Sequence, residues 1–298
     1  MVLTRGAPWR TRASMSKSQV LLEKVAQAFA PVGGVRAVVL GGSRGRGTHH
    51  AGSDYDIGLF YQGDLDTAAL ESVARSLSGP SRSYKAEEPG APLMTKIGGW
   101  GAWVNGGGWL TIDGEAVDIL YRDAERVERV IAECREGRFE CAYHYGHPHA
   151  FVSTIYAGEV ATCRPLDDPH GFVAKCKAAL APYPEALRAA TIARFADEAR
   201  FFLAVAQKAA AKGDVTFVTG CAFRAASCVL QVLFALNRQW LINEKGALAL
   251  AAKFEHAPKD LQFEMEGAFA QLAMGPQGML AALREIAALA DETMALAG

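Results

Sequence analysis

The sequence lacks a basic excess and a long apolar segment. Its 31 Lys and Arg residues are balanced by 32 Asp and Glu residues, for a formal net charge of -1. Proteins that bind nucleic acids usually carry a basic excess or stripe, because neutralising phosphates supplies much of their affinity. No apolar run reaches the roughly 18 residues that a membrane span needs. We therefore predict no nucleic-acid partner and no membrane span, and we expect a cytoplasmic protein.

The sequence also lacks closely spaced cysteine pairs. None of its six cysteines forms a Cys-x-x-Cys motif, and 298 residues suffice to bury a core without disulfides. We interpret the cysteines as free thiols. Cys134, Cys141, His144, His147 and His149 lie close together in the sequence, but structural zinc sites prefer tighter pairs. We therefore expect no stoichiometric zinc at this group.

The first half of the chain is rich in glycine and in short apolar runs. Such runs predict three strands, at residues 35–40, 56–61 and 116–121. Apolar residues at helical spacing predict three helices, at residues 19–30, 66–77 and 123–135. Asn105-Gly106 predicts a hairpin that joins segments 100–104 and 109–112.

The second half of the chain is rich in alanine and shows helical spacing throughout. We predict five helices there, at residues 184–212, 214–240, 243–254, 258–274 and 276–297. This change of character predicts a disordered leader at 1–18, a domain of strands and helices at 19–138, and a helical domain at 139–298. The sequence leaves open whether Met1 or Met15 is the start.

A glycine-rich turn and three aspartates carry the chemistry. The turn, which contains Gly42 and Ser43, follows a predicted strand, and Asp54 and Asp56 come about ten residues later. Side chains alternate across a strand, so these two carboxylates share one face. Their repulsion is relieved by a bound cation, for which hard oxygen ligands suit Mg²⁺ or Mn²⁺. Asp118, on the third strand, is expected to share the metal, which would offset the cost of its charge.

The glycine turn is suited to a nucleotide triphosphate. Glycine lets the backbone approach a phosphate closely, and free amide groups bind anions. Ser43 adds a hydroxyl donor, and Arg44 or Arg46 can offset phosphate charge. Lys245 precedes a predicted helix, where a cation opposes the helix dipole, which marks it as a further phosphate-binding candidate.

These residues resemble the polymerase-beta-like nucleotidyltransferase superfamily, whose pattern is Gly-Ser, then Asp-x-Asp, then a distant Asp. The resemblance covers residues 20–125, and the second half is similar to the helical bundle of aminoglycoside and lincosamide nucleotidyltransferases. It implies an α+β fold with a mixed sheet and flanking helices, followed by an α-helical bundle. It also implies NMP transfer from an NTP, with ATP expected, on two Mg²⁺ ions or Mn²⁺, with Asp54, Asp56 and Asp118 as metal ligands.

We expect the acceptor to be a small hydroxylated compound, an antibiotic being one example, because the chain is nearly neutral. The alternatives are NMP transfer to a protein or RNA, and a non-catalytic nucleotide-binding regulator. Related enzymes draw a general base from the helical domain or from nearby residues. The sequence leaves four candidates for that base: Glu115, Glu159, Asp197 and Glu198.

Overall fold

The computed structural model describes residues 16–79, 82 and 91–297. The expected leader over residues 1–18 lies mostly outside them. Within the described residues the chain forms twelve helices and seven strands. In chain order these are α1 (Lys17–Phe29), β1 (Val35–Leu40), α2 (Gly42–Arg46), β2 (Tyr55–Tyr61), α3 (Thr67–Leu77), α4 (Gly101–Val104), β3 (Gly107–Ile112), β4 (Glu115–Asp123), α5 (Ala124–Arg135), β5 (Cys141–His144), β6 (His147–Val152), α6 (Thr154–Thr162), β7 (Arg164–Asp167), α7 (Phe172–Leu180), α8 (Glu185–Ala211), α9 (Val215–Leu236), α10 (Ala247–Ala251), α11 (Leu261–Gln271) and α12 (Gly275–Ala297).

The chain divides into two compact units. The first comprises the residues up to Glu125 together with Thr162–Lys175, and the second comprises Arg126–Ala161 and the residues from Cys176 onward. The return of 162–175 to the first unit follows from β7, which pairs antiparallel with β1. The predicted boundary between residues 138 and 139 does not provide for this return. The return depends on pairing between strands more than a hundred residues apart, which a reading along the sequence does not detect.

The first unit is built on a five-stranded mixed sheet with the order β3-β4-β2-β1-β7. β2 and β4 are parallel, and the other neighbours are antiparallel. Alternate side chains of β2 and β4, such as Ile57 and Ile119, are buried with Leu22 and Phe29 of α1 and Leu70 of α3. This packing leaves the intervening positions of the two strands on the opposite face. The α+β fold with a mixed sheet and a helical second part is therefore confirmed.

Local signals set the helix starts in this unit. α1 begins two residues before the predicted start, because Ser16 caps it and forms a capping box with Gln19. Lys17 and Ser18 of the expected leader are therefore helical. Asp66, the first residue of the predicted helix at 66–77, caps α3 and accepts a hydrogen bond from the Ala69 amide at 2.8 Å.

The predicted hairpin around Asn105-Gly106 is wrong. Residues 101–104 form the short helix α4, and β3 forms a hairpin with β4 through Asp113 and Gly114 instead. Asp113 has φ 53° and Gly114 has φ 81°, and two consecutive positive φ angles suit a tight hairpin turn.

The second unit contains the helices α8, α9, α11 and α12, which share one apolar core. α9 is apolar nearly all round and is the one described helix that is long and apolar enough, by length and composition, to cross a membrane. Most of it is buried against the other helices of this unit. The second half is not entirely helical, because β5 and β6 form a two-stranded sheet. The predicted helix at 243–254 shortens to α10.

Candidate active site

The glycine turn lies at the end of β1 and closes onto β2. The Gly41 amide donates a hydrogen bond to the Asp56 carbonyl at 2.8 Å. Gly42 has φ +57°, and a Cβ atom built on it would lie 1.7 Å from Asp56 Oδ2. Any side chain at this position would therefore displace the Asp56 carboxylate. Glycine is required here for both the backbone conformation and the space.

The structure brings the predicted carboxylates to one face of the sheet. Asp56 in β2 and Asp118 in β4 are direct partners in the parallel pairing, so their side chains point the same way. Asp54 precedes Asp56 by two residues and immediately precedes β2. Buried residues alternate with the aspartates along both strands, such as Ile57 beside Asp56. The three aspartates therefore lie on the face that is not covered by α1 and α3.

Glu115, in the same strand as Asp118, lies on the other face. Its carboxylate accepts a hydrogen bond from Lys17 Nζ at 2.8 Å. Asp113 in the neighbouring turn binds Lys24 of α1 at the same distance. Neither carboxylate faces Asp118, which removes Glu115 from the candidates for a general base at this site.

Arg82 is a member of the site that the sequence did not indicate. Its guanidinium forms a salt bridge with Asp118 and lies 3.8 Å from Asp54 Oδ2. Its backbone amide donates to the Trp109 carbonyl at 3.2 Å, and its Nε donates to the Leu110 carbonyl at 3.1 Å. The arginine is thus held along β3, and its cation lies between two of the three carboxylates.

The electrostatics of Asp118 reflect this arrangement. Burial raises the pKa of Asp118, Arg82 opposes the shift, and the charge of Asp54 adds to it. The net direction is upward. Two acidic groups close together are stabilised by a nearby cation, and Arg82 supplies one.

The carboxylate group fits a divalent ion. The donors are hard oxygens, which Mg²⁺ and Mn²⁺ prefer. Arg82 already places positive charge at Asp54 and Asp118, which shows that the position favours a cation. Gly42 leaves the space that the Asp56 carboxylate occupies.

The predicted phosphate-binding arginines differ in their surroundings. Arg44 donates two hydrogen bonds to the Ser53 carbonyl, at 3.0 and 2.8 Å, and its guanidinium lies 3.8 Å from the Tyr55 ring centroid. It therefore fixes the segment that leads to Asp54. Arg46 is exposed at the end of α2. Ser43 is half-buried in α2, and its carbonyl accepts a hydrogen bond from Thr48 at 2.9 Å.

The remaining predicted residues belong to the second unit. Lys245 is exposed and precedes α10, and its amide donates to Asn243 Oδ1 at 2.8 Å. Glu198 is bound by Arg224, with Nε and Oε1 2.7 Å apart. Asp197 is exposed and Glu159 is half-buried. The structure therefore leaves the choice of a general base among these three residues open.

Two tryptophans lie beside the carboxylates. Trp109 in β3 pairs with Asp118 in β4, so both side chains are on the same face. The rings of Trp109 and Trp100 stack with centroids 4.4 Å apart. The two rings therefore pack on each other at the edge of the acidic face.

Comparisons with known proteins agree with this geometry. Residues 20–95 match the nucleotidyltransferase domain family, and residues 150–245 match the family described as Domain of unknown function (DUF4037). The first match includes the glycine turn, Asp54 and Asp56, and it ends before Asp118. No curated protein matches the chain.

Among solved structures, the chain is similar to a nucleotidyltransferase-like protein from Exiguobacterium sibiricum 255-15. The TM-score is 0.38 and the identity is 11%, over 95% of this chain and 77% of that chain. The family models thus match residues 20–95 to a nucleotidyltransferase domain and residues 150–245, in the helical part of the chain, to the DUF4037 family.

Proposed function

We propose that the protein transfers NMP from an NTP to a hydroxyl group of a small molecule and releases pyrophosphate. One observation carries the proposal: Asp56 and Asp118 are register partners on one face of the sheet, with Asp54 two residues before Asp56. A structural explanation would not require three like charges at adjacent positions. A metal–nucleotide site does require them.

Each residue of the candidate site has a proposed role that follows from its position. Asp54 and Asp56 would bind two divalent ions, expected to be Mg²⁺ with Mn²⁺ as an alternative, and Asp118 would bind the ion nearer the acceptor. Such ions, when bound, stabilise the entering and leaving oxygens of a phosphoryl transfer. Ser43 and the amides of the glycine turn would hold the β- and γ-phosphates, and Arg46 would add positive charge. Lys245, which belongs to the second unit, stays a prediction from the sequence. Arg44 would act indirectly, because it fixes the chain before Asp54.

The bond changes are those of an in-line displacement. The acceptor oxygen forms a bond to the α-phosphorus while the bond from that phosphorus to the bridging oxygen breaks. Pyrophosphate leaves with the electron pair, and the acceptor proton passes to a base. We expect ATP to be the donor, as the sequence resemblance implies.

A small acceptor is favoured over RNA by charge. The chain has a net charge of -1, whereas binding a polynucleotide requires several cations along its track. Asp113 and Glu115 do not support binding of a cationic acceptor, because they bind Lys24 and Lys17. Glu87 and Glu88, two further acidic residues of this half of the chain, lie outside the described residues.

The test uses the full chain with α-labelled NTPs, Mg²⁺ and a panel of acceptors that includes hydroxylated antibiotics, RNA and protein. Pyrophosphate release and labelled product should appear with a small hydroxyl compound. Asp56→Asn should abolish both without lowering the unfolding midpoint, because it removes a repelling charge. Asp113→Asn is the matched control and should retain activity, because Asp113 pairs with Lys24 away from the acidic face.

Three outcomes would contradict the proposal. Full activity of Asp56→Asn, or of the wild type in excess EDTA, would exclude the metal mechanism. Preferential labelling of RNA ends or of protein side chains would assign a macromolecular acceptor. Nucleotide binding with no transfer to any acceptor would indicate a regulator.

A further inference from the structure

A second group of metal-ligand side chains lies in the second unit. His149 of β6, Glu198 of α8 and Cys228 of α9 each offer one ligand atom, and these atoms all lie within 4.8 Å of one another. His149 Nε2 and Cys228 Sγ are 3.9 Å apart. His149 is 5% exposed and Cys228 is fully buried. Three elements that are distant in the sequence therefore bring a nitrogen, an oxygen and a sulfur donor together.

Arg224 orients two members of this group. Its Nε and Nη2 contact Glu198 Oε1 at 2.7 and 2.5 Å, and its Nη1 donates to the His149 carbonyl at 2.8 Å. One arginine thus fixes the carboxylate and the strand that carries the imidazole. Both contacts on Glu198 are made to Oε1, so Arg224 does not occupy Oε2. Ligands held by such outer contacts are typical of protein metal sites.

The protonation states suit an incoming ion. Burial, and after it the charge of Arg224, lowers the pKa of His149 to about 4. The imidazole is therefore neutral at pH 7 and retains a lone pair for a metal. Burial raises the pKa of Cys228, so its sulfur carries a proton when no ion is bound. A metal that prefers thiolate can displace this proton.

We propose that His149, Glu198 and Cys228 form a binding site for a zinc-type divalent ion. The ion binds Nε2 of the imidazole, a carboxylate oxygen of Glu198 and the sulfur of Cys228. The S–H bond breaks, a sulfur–metal bond forms, and one proton leaves to solvent. A water completes the tetrahedral set that zinc prefers. The donor atoms of this site, nitrogen, oxygen and sulfur, differ from those of the aspartates in the first unit, where all donors are oxygens and suit Mg²⁺.

Charge and access are consistent with this assignment. Glu198 and Arg224 form a neutral pair, so the ion and one thiolate leave a single net positive charge. Full burial of that charge would be costly. The side chains of Glu198 and Arg224 are 19% and 30% exposed, so water reaches one side of the group. The same side provides a route for the ion.

From the sequence, no stoichiometric zinc is expected at Cys134, Cys141 and the nearby histidines. The proposed site takes only His149 from that group. Glu198 and Cys228 lie 49 and 79 positions farther along the chain, so no short motif could reveal the site.

Cobalt spectroscopy tests the proposal on the full chain, purified without a metal-binding tag and stripped with a chelator. Titration with Co²⁺ should produce a thiolate-to-cobalt charge-transfer band, with one equivalent of protons released per bound ion. Zn²⁺ should abolish the band. Co²⁺ on the aspartates would give no such band, so the result does not depend on the proposed transferase function.

The matched variants are Cys228→Ser and Cys221→Ser, which both replace a buried cysteine of α9. The band should disappear in Cys228→Ser and persist in Cys221→Ser. A band that persists in Cys228→Ser, or disappears in both folded variants, would overturn the proposal.

A measurement on the wild type avoids dependence on the folding of the variants. X-ray absorption of the zinc-loaded chain should show one sulfur at about 2.3 Å and a histidine nitrogen at about 2.0 Å. A zinc shell made of oxygen alone, or no bound zinc, would reject the site.

Discussion

Replacement of Arg82 should strengthen metal binding at the aspartates. In the structure, the guanidinium contacts Asp118 and lies near Asp54, so a divalent ion must displace it to reach the same oxygens. In Arg82→Ala no such displacement is needed. The expected result is a higher affinity for Mn²⁺ in the absence of nucleotide.

The magnitude follows from the exposure of each partner. The Asp118 side chain is 21% exposed and accepts a charged hydrogen bond, an interaction typically worth about 1.5–3 kcal/mol. The Asp54 side chain is 48% exposed, so that pair adds no more than about 1 kcal/mol after solvent screening. Loss of the competing contacts, about 1.5–4 kcal/mol together, should therefore raise the Mn²⁺ affinity roughly 10- to 700-fold, at about 1.4 kcal/mol per factor of ten.

Calorimetric titration of Mn²⁺ into the nucleotide-free protein measures this change directly. Arg75→Ala is the control, because Arg75 forms a comparable salt bridge with Glu71 at 2.6 Å on α3 and should leave the affinity unchanged. The metal-free Arg82→Ala protein should also unfold more easily and recover with Mn²⁺, because Asp54 and Asp118 then lack their cation. An equal or weaker Mn²⁺ affinity in Arg82→Ala would refute the reasoning.

Two further predictions concern the glycine turn and the buried histidine. Gly42→Ala should abolish transfer and leave the far-UV circular dichroism spectrum unchanged, because the new Cβ would lie 1.7 Å from Asp56 Oδ2. Gly47 also has a positive φ, +73°, but open space around it, so Gly47→Ala should keep most of the activity. Similar losses in both variants would contradict this explanation. Burial lowers the pKa of His149 to about 4, from about 6.5 in the unfolded chain, so the unfolded state binds a proton first as the pH falls. The free energy of unfolding should therefore decrease by up to about 3 kcal/mol between pH 6.5 and 4. Urea titrations in the presence of a chelator should show this dependence of the unfolding free energy on pH in the wild type and not in His149→Gln. The same pH dependence in both proteins would contradict the prediction.

The parts of the fold that the sequence predicted depend on local chemistry. The strand at 35–40 and the Asp66 cap of α3 match the structure because a β-branched run and a side-chain cap act within a few residues. The shared face of Asp54 and Asp56 follows from the two-residue period of a strand. The register of Asp56 with Asp118 was not predicted, because pairing between strands 62 residues apart depends on tertiary packing.

The hairpin error shows how two local signals compete. Asn105-Gly106 and Asp113-Gly114 are both suited to tight turns, and each is followed by a strand-forming segment. The structure uses the second, because β3 can then pair along its whole length with β4, which in turn pairs with β2 on its other side. The first segment becomes α4, and the stacking of Trp100 on Trp109 holds it near β3. The choice depended on tertiary pairing, which neither dipeptide encodes.

Both charged clusters illustrate why the site could be predicted only in part. A sequence with 31 cations and 32 anions allows a great many ion pairs, and nothing in the neighbourhood of Arg82 marks Asp118 as its partner. The same holds for Arg224, which binds Glu198 and the backbone of His149 across three elements. The part of the candidate site that contains Gly42, Asp54 and Asp56 is recognisable because these residues are close in sequence and restricted by backbone geometry. The partners of Arg82 and Arg224 come from distant elements, so they follow from tertiary packing rather than from any motif.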